Sequence, residues 1–176
     1  GISLAGKTAA LVGFGDIGKN TARRLLASGL QVVAYDPFVG PVPELPSVER
    51  ADWPARLEEA DYIVLTCSLT PSSRNIINAD SLARAKAGVR IVNVSRGQVI
   101  DQAALESALA SGKVYSAALD VFEVEPLPID SPLRNHSRVI FGSHNASNTV
   151  EAVTRGSETA IVKLMEFLGV SPGGES

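Results

Sequence analysis

Ala10-Leu-Val-Gly-Phe-Gly-Asp-Ile-Gly-Lys19 is the stretch whose reading decides the fold of this chain. A short apolar run ends in Gly13-x-Gly15-x-x-Gly18, and a helix-compatible run over residues 20–28 follows at once. That order predicts a strand, a tight turn and a helix. Each glycine has its own reason: Gly13 for the sharp turn, Gly15 so that a pyrophosphate can approach the backbone, and Gly18 so that the helix can lie close on the strand. Backbone N–H groups at such a helix start face negative charge, which the helix dipole also favours. A second apolar run, Val32-Val-Ala-Tyr-Asp36, ends in an acid 18 residues past Gly18. A carboxylate there accepts ribose hydroxyls and repels a 2′-phosphate, so the expected cofactor is NAD rather than NADP.

Outward from this core, strand-like and helix-like segments alternate along almost the whole chain, the pattern of a parallel sheet covered on both faces. Strands are expected at residues 8–12, 31–35, 62–66, 90–94, 116–119 and 139–141, with a short one at Val48-Glu49. Helices are expected at 17–28, 53–60, 80–86 and 101–111, and an amphipathic one over 147–168. Pro37, Gly40, Pro41, Pro43 and Pro46 make a stiff surface loop, because proline fixes φ and removes a donor.

Composition narrows the class. The chain has 176 residues, 45% hydrophobic and 20% charged, which suits a folded domain with a substantial core. With 16 basic against 19 acidic side chains and no basic run, nucleic acid is not an expected partner. No apolar run approaches the roughly 18 residues of a membrane helix, so no membrane partner is expected and the chain reads as cytoplasmic. The single cysteine, Cys67, allows no intrachain disulfide, and no metal site is expected.

Ligands of open α/β sheets sit beyond the carboxyl ends of the strands. Those ends carry Gly13 to Ile17, Asp36, Cys67-Ser68, Ser95-Arg96, Asp120 to Glu125 and His144-Asn145. An arginine, several acids and a histidine at strand ends are more polar groups than a scaffold requires. His136 stands at no strand end and reads as a surface-loop residue, and Cys67 reads as a packing residue, not a nucleophile.

Three stretches go beyond a generic nucleotide fold: Asn93-Val-Ser-Arg-Gly-Gln-Val-Ile-Asp101, Ala117-Ala-Leu-Asp-Val-Phe-Glu-Val-Glu-Pro126 and Ser143-His-Asn-Ala-Ser-Asn-Thr149. With the glycine turn and Leu69-Thr-Pro71…Ile77-Asn78, they resemble the nucleotide-binding domain of the D-2-hydroxyacid dehydrogenases, a family that includes phosphoglycerate dehydrogenases, hydroxypyruvate reductases and D-lactate dehydrogenases. The resemblance implies a Rossmann-type doubly wound parallel sheet in three layers. It implies an oxidoreductase that moves a hydride between NAD and a small 2-hydroxy or 2-oxo acid. Arg96, Glu125 and His144 then form the catalytic group: His144 as proton donor and acceptor, Glu125 as its partner favouring the imidazolium, and Arg96 gripping the substrate carboxylate and carbonyl. Asp120 orients the nicotinamide carboxamide, Asp16 and Ile17 contact the pyrophosphate, and Cys67, Val94 and Ser95 line the cofactor site.

Departures from the family pattern are Ser68 and Ser143, each where proline is usual, and Asn145-Ala-Ser147 in place of a more glycine-rich stretch. Glu125 argues against the formate dehydrogenase branch, which uses glutamine there. The resemblance divides the chain into an NAD-binding domain at residues 4–146, a closing helix at 147–169 that returns toward a substrate domain, and a frayed tail at 170–176. Family members carry a separate substrate domain from segments on either side of the nucleotide domain; here the first nucleotide-domain strand stands almost at the start. A domain fragment is therefore expected, one that binds NAD and turns over substrate poorly or not at all. A homodimer of the full-length protein is also expected, with the helices at 101–111 and 147–168 as candidate surfaces. A different class stays open, a non-enzymatic NAD(H)-sensing module like the C-terminal-binding protein corepressors of the same family. A third reading, an NADP-dependent reductase, predicts an arginine near Asp36, and the neighbouring sequence has none.

Overall fold

The computed structural model describes residues 2–170; the tail at 171–176 lies outside the described residues. The chain divides between His144 and Asn145 into two compact units. The first holds a seven-stranded sheet made of β1 (Thr8–Val12), β2 (Gln31–Tyr35), β3 (Val48–Arg50), β4 (Tyr62–Leu65), β5 (Val89–Asn93), β6 (Val114–Leu119) and β7 (Val139–Phe141). The strands run in the order β3-β2-β1-β4-β5-β6-β7, every pair parallel. The order reverses between β1 and β4, which places a ligand crevice beyond the carboxyl ends of those two strands.

Alternate residues of the central strands feed two separate cores. Ala10, Val12, Val33, Tyr35, Ile63 and Leu65 face one core, which α2 (Ala79–Arg84) and α3 (Gln102–Ala110) close with Leu82, Leu105 and Leu109. Leu11, Val32, Ala34 and Val64 face the other, which α1 (Asp16–Ala27) closes with Ala22 and Leu25. Burial on both faces explains why β1, β2 and β4 read as continuous apolar runs with no polar alternation. The doubly wound, three-layer expectation is met.

Helix starts follow local chemistry. Asn78 caps α2 by accepting from the N–H of Ser81, whose hydroxyl accepts from the N–H of Asn78 in return. Asp101 caps α3 through the N–H of Ala104. The second unit contains α4 (Val150–Leu168), capped by Thr149 through the N–H of Ala152 and ended by Gly169 at φ 69°. Among the described residues no helix is long and apolar enough to cross a membrane.

One element differs from expectation. The helix expected over residues 53–60 is only a 3₁₀ turn at Leu57–Glu59. Pro54 has no N–H to give a helix, and Arg56 sits at φ 62°, outside helical space. The remaining boundaries move by a few residues at most; α1, for instance, starts at Asp16 and ends at Ala27.

Candidate active site and cofactor cleft

The glycine turn forms as a packing necessity. Gly13 has φ +93°, and a Cβ on it would stand 2.5 Å from the backbone of Cys67. A Cβ on Gly18 would stand 2.2 Å from the carbonyl oxygen of Gly13, so helix α1 can sit this close to β1 only with glycine there. The Thr66 hydroxyl donates to that same Gly13 carbonyl at 2.9 Å, fixing the end of β4 to the turn. Gly15 is different: nothing lies within 4 Å of where its Cβ would be. It caps α1, and no side chain bonds to that helix start. Open space above an uncapped helix N-terminus fits a pyrophosphate, whose oxygens would take the first N–H groups of α1.

An open cleft of about 820 Å³ lies against this turn. Gly13, Gly15, Asp36 and Cys67 of the expected cofactor residues line it, together with Phe38, Arg50, Trp53, Thr66 and Ser68. Asp16, Ile17, Gly18, Val94, Ser95 and Asp120 do not. Gly18 is buried beneath the turn, and Ile17 is 62% exposed beside it. Ser95 is buried and its hydroxyl donates to the Cys67 carbonyl, so it acts on the cleft through Cys67. Burial pushes the Cys67 thiol up, in keeping with a packing residue.

Asp36 ends β2 with its carboxylate held by backbone. Oδ2 accepts from the N–H of Phe14 at 2.8 Å, and Oδ1 accepts from the N–H groups of Phe38 and Val39 at 2.9 and 3.2 Å. Partial burial raises its pKa, but those three hydrogen bonds and the Arg50 charge outweigh it and leave the group below the usual carboxylate range. Asp36 is thus an anion at neutral pH. The expectation that no arginine lies near Asp36 is corrected here. Arg50, at the end of β3, donates to the Asp36 carbonyl at 2.5 Å and to the Gly40 carbonyl at 2.8 Å. Fourteen residues separate the pair in sequence, but β2 and β3 are neighbours in the sheet.

Beyond the ends of β5, β6 and β7 the three other stretches meet. Asn93 is fully buried, its side-chain Oδ1 accepting from the N–H of Ser95 and its side-chain Nδ2 donating to the Arg96 carbonyl at 2.9 Å. The turn carrying Arg96 is therefore held by a side chain from the strand below it. Gly97, next in line, lies directly against Phe122, and the Gln98 amide donates to the Glu123 carbonyl at 3.0 Å. These contacts join the Arg96 turn to the segment bearing Glu125.

His144 stands at φ 57°, with its N–H bonded to the Asp120 carbonyl at 2.8 Å. Its Nδ1 lies 2.7 Å from Glu125 Oε2, while Glu125 Oε1 accepts from the N–H of Phe122 at 3.0 Å. Both oxygens of Glu125 are thus engaged. The hydrogen bond to His144, then that from Phe122, lower the Glu125 pKa against partial burial, and the Arg96 charge adds to the shift. The structure therefore pairs His144 with Glu125 and brings Arg96 within electrostatic reach. His136 belongs to no such group: it ends the 3₁₀ turn at Pro132–Asn135, with its Nδ1 accepting the N–H of Arg138 at 3.3 Å.

Sequence reading missed two contributors. Arg50 ends a strand, the position where ligand contacts are sought, but β3 is three residues long with two of them exposed, too weak a signal to mark its end. Asn93 stood inside a motif read for its arginine.

Residues 1–146 match the family described as D-isomer specific 2-hydroxyacid dehydrogenase, NAD binding domain. Hydroxypyruvate reductase of Thermotoga maritima is 44% identical over 173 residues, covering 97% of this chain and 56% of that protein. D-3-phosphoglycerate dehydrogenase of Rattus norvegicus is 38% identical over 175 residues, covering 96% of this chain and 32% of that protein. Among solved structures, the apo form of D-lactate dehydrogenase from Escherichia coli superposes with a TM-score of 0.86 at 36% identity, over 97% of this chain and 54% of that one. The chain spans between about a third and just over half the length of these relatives.

Proposed function

The chain belongs to the D-isomer specific 2-hydroxyacid dehydrogenase family through its NAD-binding domain, and on that footing we propose that it serves the transfer of a hydride between NAD(H) and a small 2-oxo or 2-hydroxy acid. The observation that carries this reading is the 2.7 Å pairing of His144 Nδ1 with Glu125 Oε2, beside a turn that presents Arg96.

Gly13, Gly15 and the start of α1 would hold the pyrophosphate, and Asp36 the adenosine ribose. The nicotinamide, when bound, supplies or accepts the hydride. Everything else in the reaction falls to side chains of this chain. With Nδ1 facing Glu125, the proton that His144 gives to the carbonyl oxygen, or takes from the hydroxyl, is carried on Nε2. Glu125 holds the ring in that tautomer and stabilises the imidazolium, as an oriented carboxylate does for a general base. Arg96 offers a planar fork of donors to the substrate carboxylate and carbonyl, a geometry lysine does not reproduce. Asn93 keeps that arginine's turn in place.

Hydroxypyruvate is the first substrate to try, because the 44% identical relative is a hydroxypyruvate reductase. The experiment follows NADH consumption with hydroxypyruvate, glyoxylate and pyruvate, in the chain as it stands and in His144→Gln and Arg96→Ala. Turnover of 2-oxo acids is expected to be slow at most, since the chain spans about half the length of that relative, and any turnover should fall about 10²- to 10⁴-fold in His144→Gln. Turnover left unchanged in both His144→Gln and Arg96→Ala, with NADH still bound, would overturn the catalytic reading of these residues and favour an NAD(H)-sensing module.

A further inference from the structure

We infer that Arg50 is a cofactor-discriminating residue: it sets a cation beside the ribose site, and Asp36 keeps that cation from recruiting a 2′-phosphate. The inference rests on the NAD-binding reading of the cleft and goes beyond it, because selection is assigned to a pair of residues and not to the acid alone.

Three observations carry it. Arg50 lines the same cleft as Asp36 and is the one basic residue among the described residues that do so. Its guanidinium is fixed there: two donors hold the carbonyls of Asp36 and Gly40, and the group lies 5.9 Å from the centre of the buried Phe14 ring. Only two of the five N–H groups of an arginine are engaged in this way. Finally, the Arg50 charge acts on Asp36, contributing to the lowered pKa of that carboxylate. The two charges therefore share one small region at the cleft wall. A phosphate at this wall meets both the Asp36 anion, a repulsion of like charges, and the Arg50 guanidinium, which is able to make charge-assisted hydrogen bonds. Remove Asp36, and Arg50 remains with Asp52 as the one carboxylate left among the described cleft residues, so the repulsion falls while the cation stays.

The test is equilibrium titration of the chain with NADH and NADPH, read by cofactor fluorescence, in the parent, Asp36→Ser, Arg50→Gln and the double variant. Serine keeps an acceptor for the loop N–H groups, and glutamine keeps a donor for the loop carbonyls, so the loop is preserved while charge is removed. In the parent NADH should bind more tightly than NADPH. Asp36→Ser should raise NADPH affinity at least about tenfold, an attraction that weakens with added salt because it is ionic. Arg50→Gln in that background should abolish both the gain and its salt dependence, giving a coupled, non-additive pair. An undiminished NADPH gain in the double variant, or no gain in Asp36→Ser while NADH still binds, would overturn the inference. Asp36→Asn serves as the second acid variant should serine unfold the loop. A parent that binds neither dinucleotide would instead count against the cleft being a cofactor site at all, so the two failures are distinguishable.

Discussion

A Cβ placed on Gly97 would stand 1.8 Å from both the carbonyl carbon and the carbonyl oxygen of Phe122. Backbone presses on backbone at the point where the Arg96 turn meets the segment carrying Glu125, and nothing at the contact is a flexible side-chain end. Gly97→Ala must therefore push the two segments apart. The expected cost is about 3 kcal/mol of stability, the upper end for overpacking, since the neighbour cannot yield by changing rotamer. Urea unfolding measures it; a change below about 0.5 kcal/mol would mean that the segments separate freely and that Gly97 does not fix their spacing.

The glycines of the turn separate fold from ligand. Gly18→Ala would thrust its methyl to 2.2 Å from the Gly13 carbonyl, so both stability and NADH binding should fall. Gly15→Ala meets nothing within 4 Å. Its unfolding midpoint should match the parent, while NADH affinity drops about tenfold or more because the methyl occupies space the pyrophosphate needs. Thermal unfolding run alongside NADH titration distinguishes the two. Unchanged NADH affinity in Gly15→Ala would remove the pyrophosphate from this position.

The two variants also mark what a sequence can disclose. The strands were legible because apolar runs of β-branched residues have few other uses, and Gly13, Gly15 and Gly18 were legible because their spacing is tied to one local geometry. The expected helix at 53–60 was misread, since nothing in Arg56 itself announces a positive φ. Arg50 escaped notice for another reason: its partner Asp36 is 14 residues away, joined only by the pairing of β2 with a three-residue strand. Gly97 was legible as part of a motif, but its cause, the backbone of Phe122, exists only after β5 and β6 have paired. Local chemistry reads directly; contacts made by strand order do not.

Glu125 predicts the acid side of the pH profile. Its pKa is lowered by His144 and Phe122, so the carboxylate stays ionised below the usual carboxylate range and its pairing with His144 is lost only as pH falls through that lowered value. Because Glu125 stays a carboxylate throughout the range from about pH 5 to 8, no change in kcat/KM for a 2-oxo acid within that range should come from Glu125. Glu125→Gln should reduce kcat/KM about 10²-fold, because the neutral amide replaces the carboxylate that orients the His144 ring through the 2.7 Å contact to Nδ1. An unchanged kcat/KM in Glu125→Gln would show that the pair does not govern proton transfer.

Asp61 predicts how the sheet responds to acid. Its Oδ2 accepts from the N–H of Thr8 at 3.0 Å, where β1 begins, and its Oδ1 lies 2.8 Å from Lys86 Nζ and 4.0 Å from Lys7 Nζ. Burial raises the Asp61 pKa, but the Lys86 and Thr8 bonds more than offset it, and the pKa is lowered overall. The lysines are substantially exposed, at 46% and 36%, so their ion pairs contribute little, and the bond to the Thr8 backbone dominates. Asp61→Ala, which leaves that N–H without its acceptor, should cost about 2 kcal/mol at neutral pH, whereas Lys7→Ala should cost almost nothing. A depressed folded pKa stabilises above the unfolded value of about 3.9 and ceases to as pH falls through the folded value. The difference between parent and Asp61→Ala should therefore be constant from neutral pH down to about 5 and shrink below about 4. Urea unfolding at a series of pH values measures it, and a difference that grew on acidification would mean that Asp61 is not held as an anion in the folded chain.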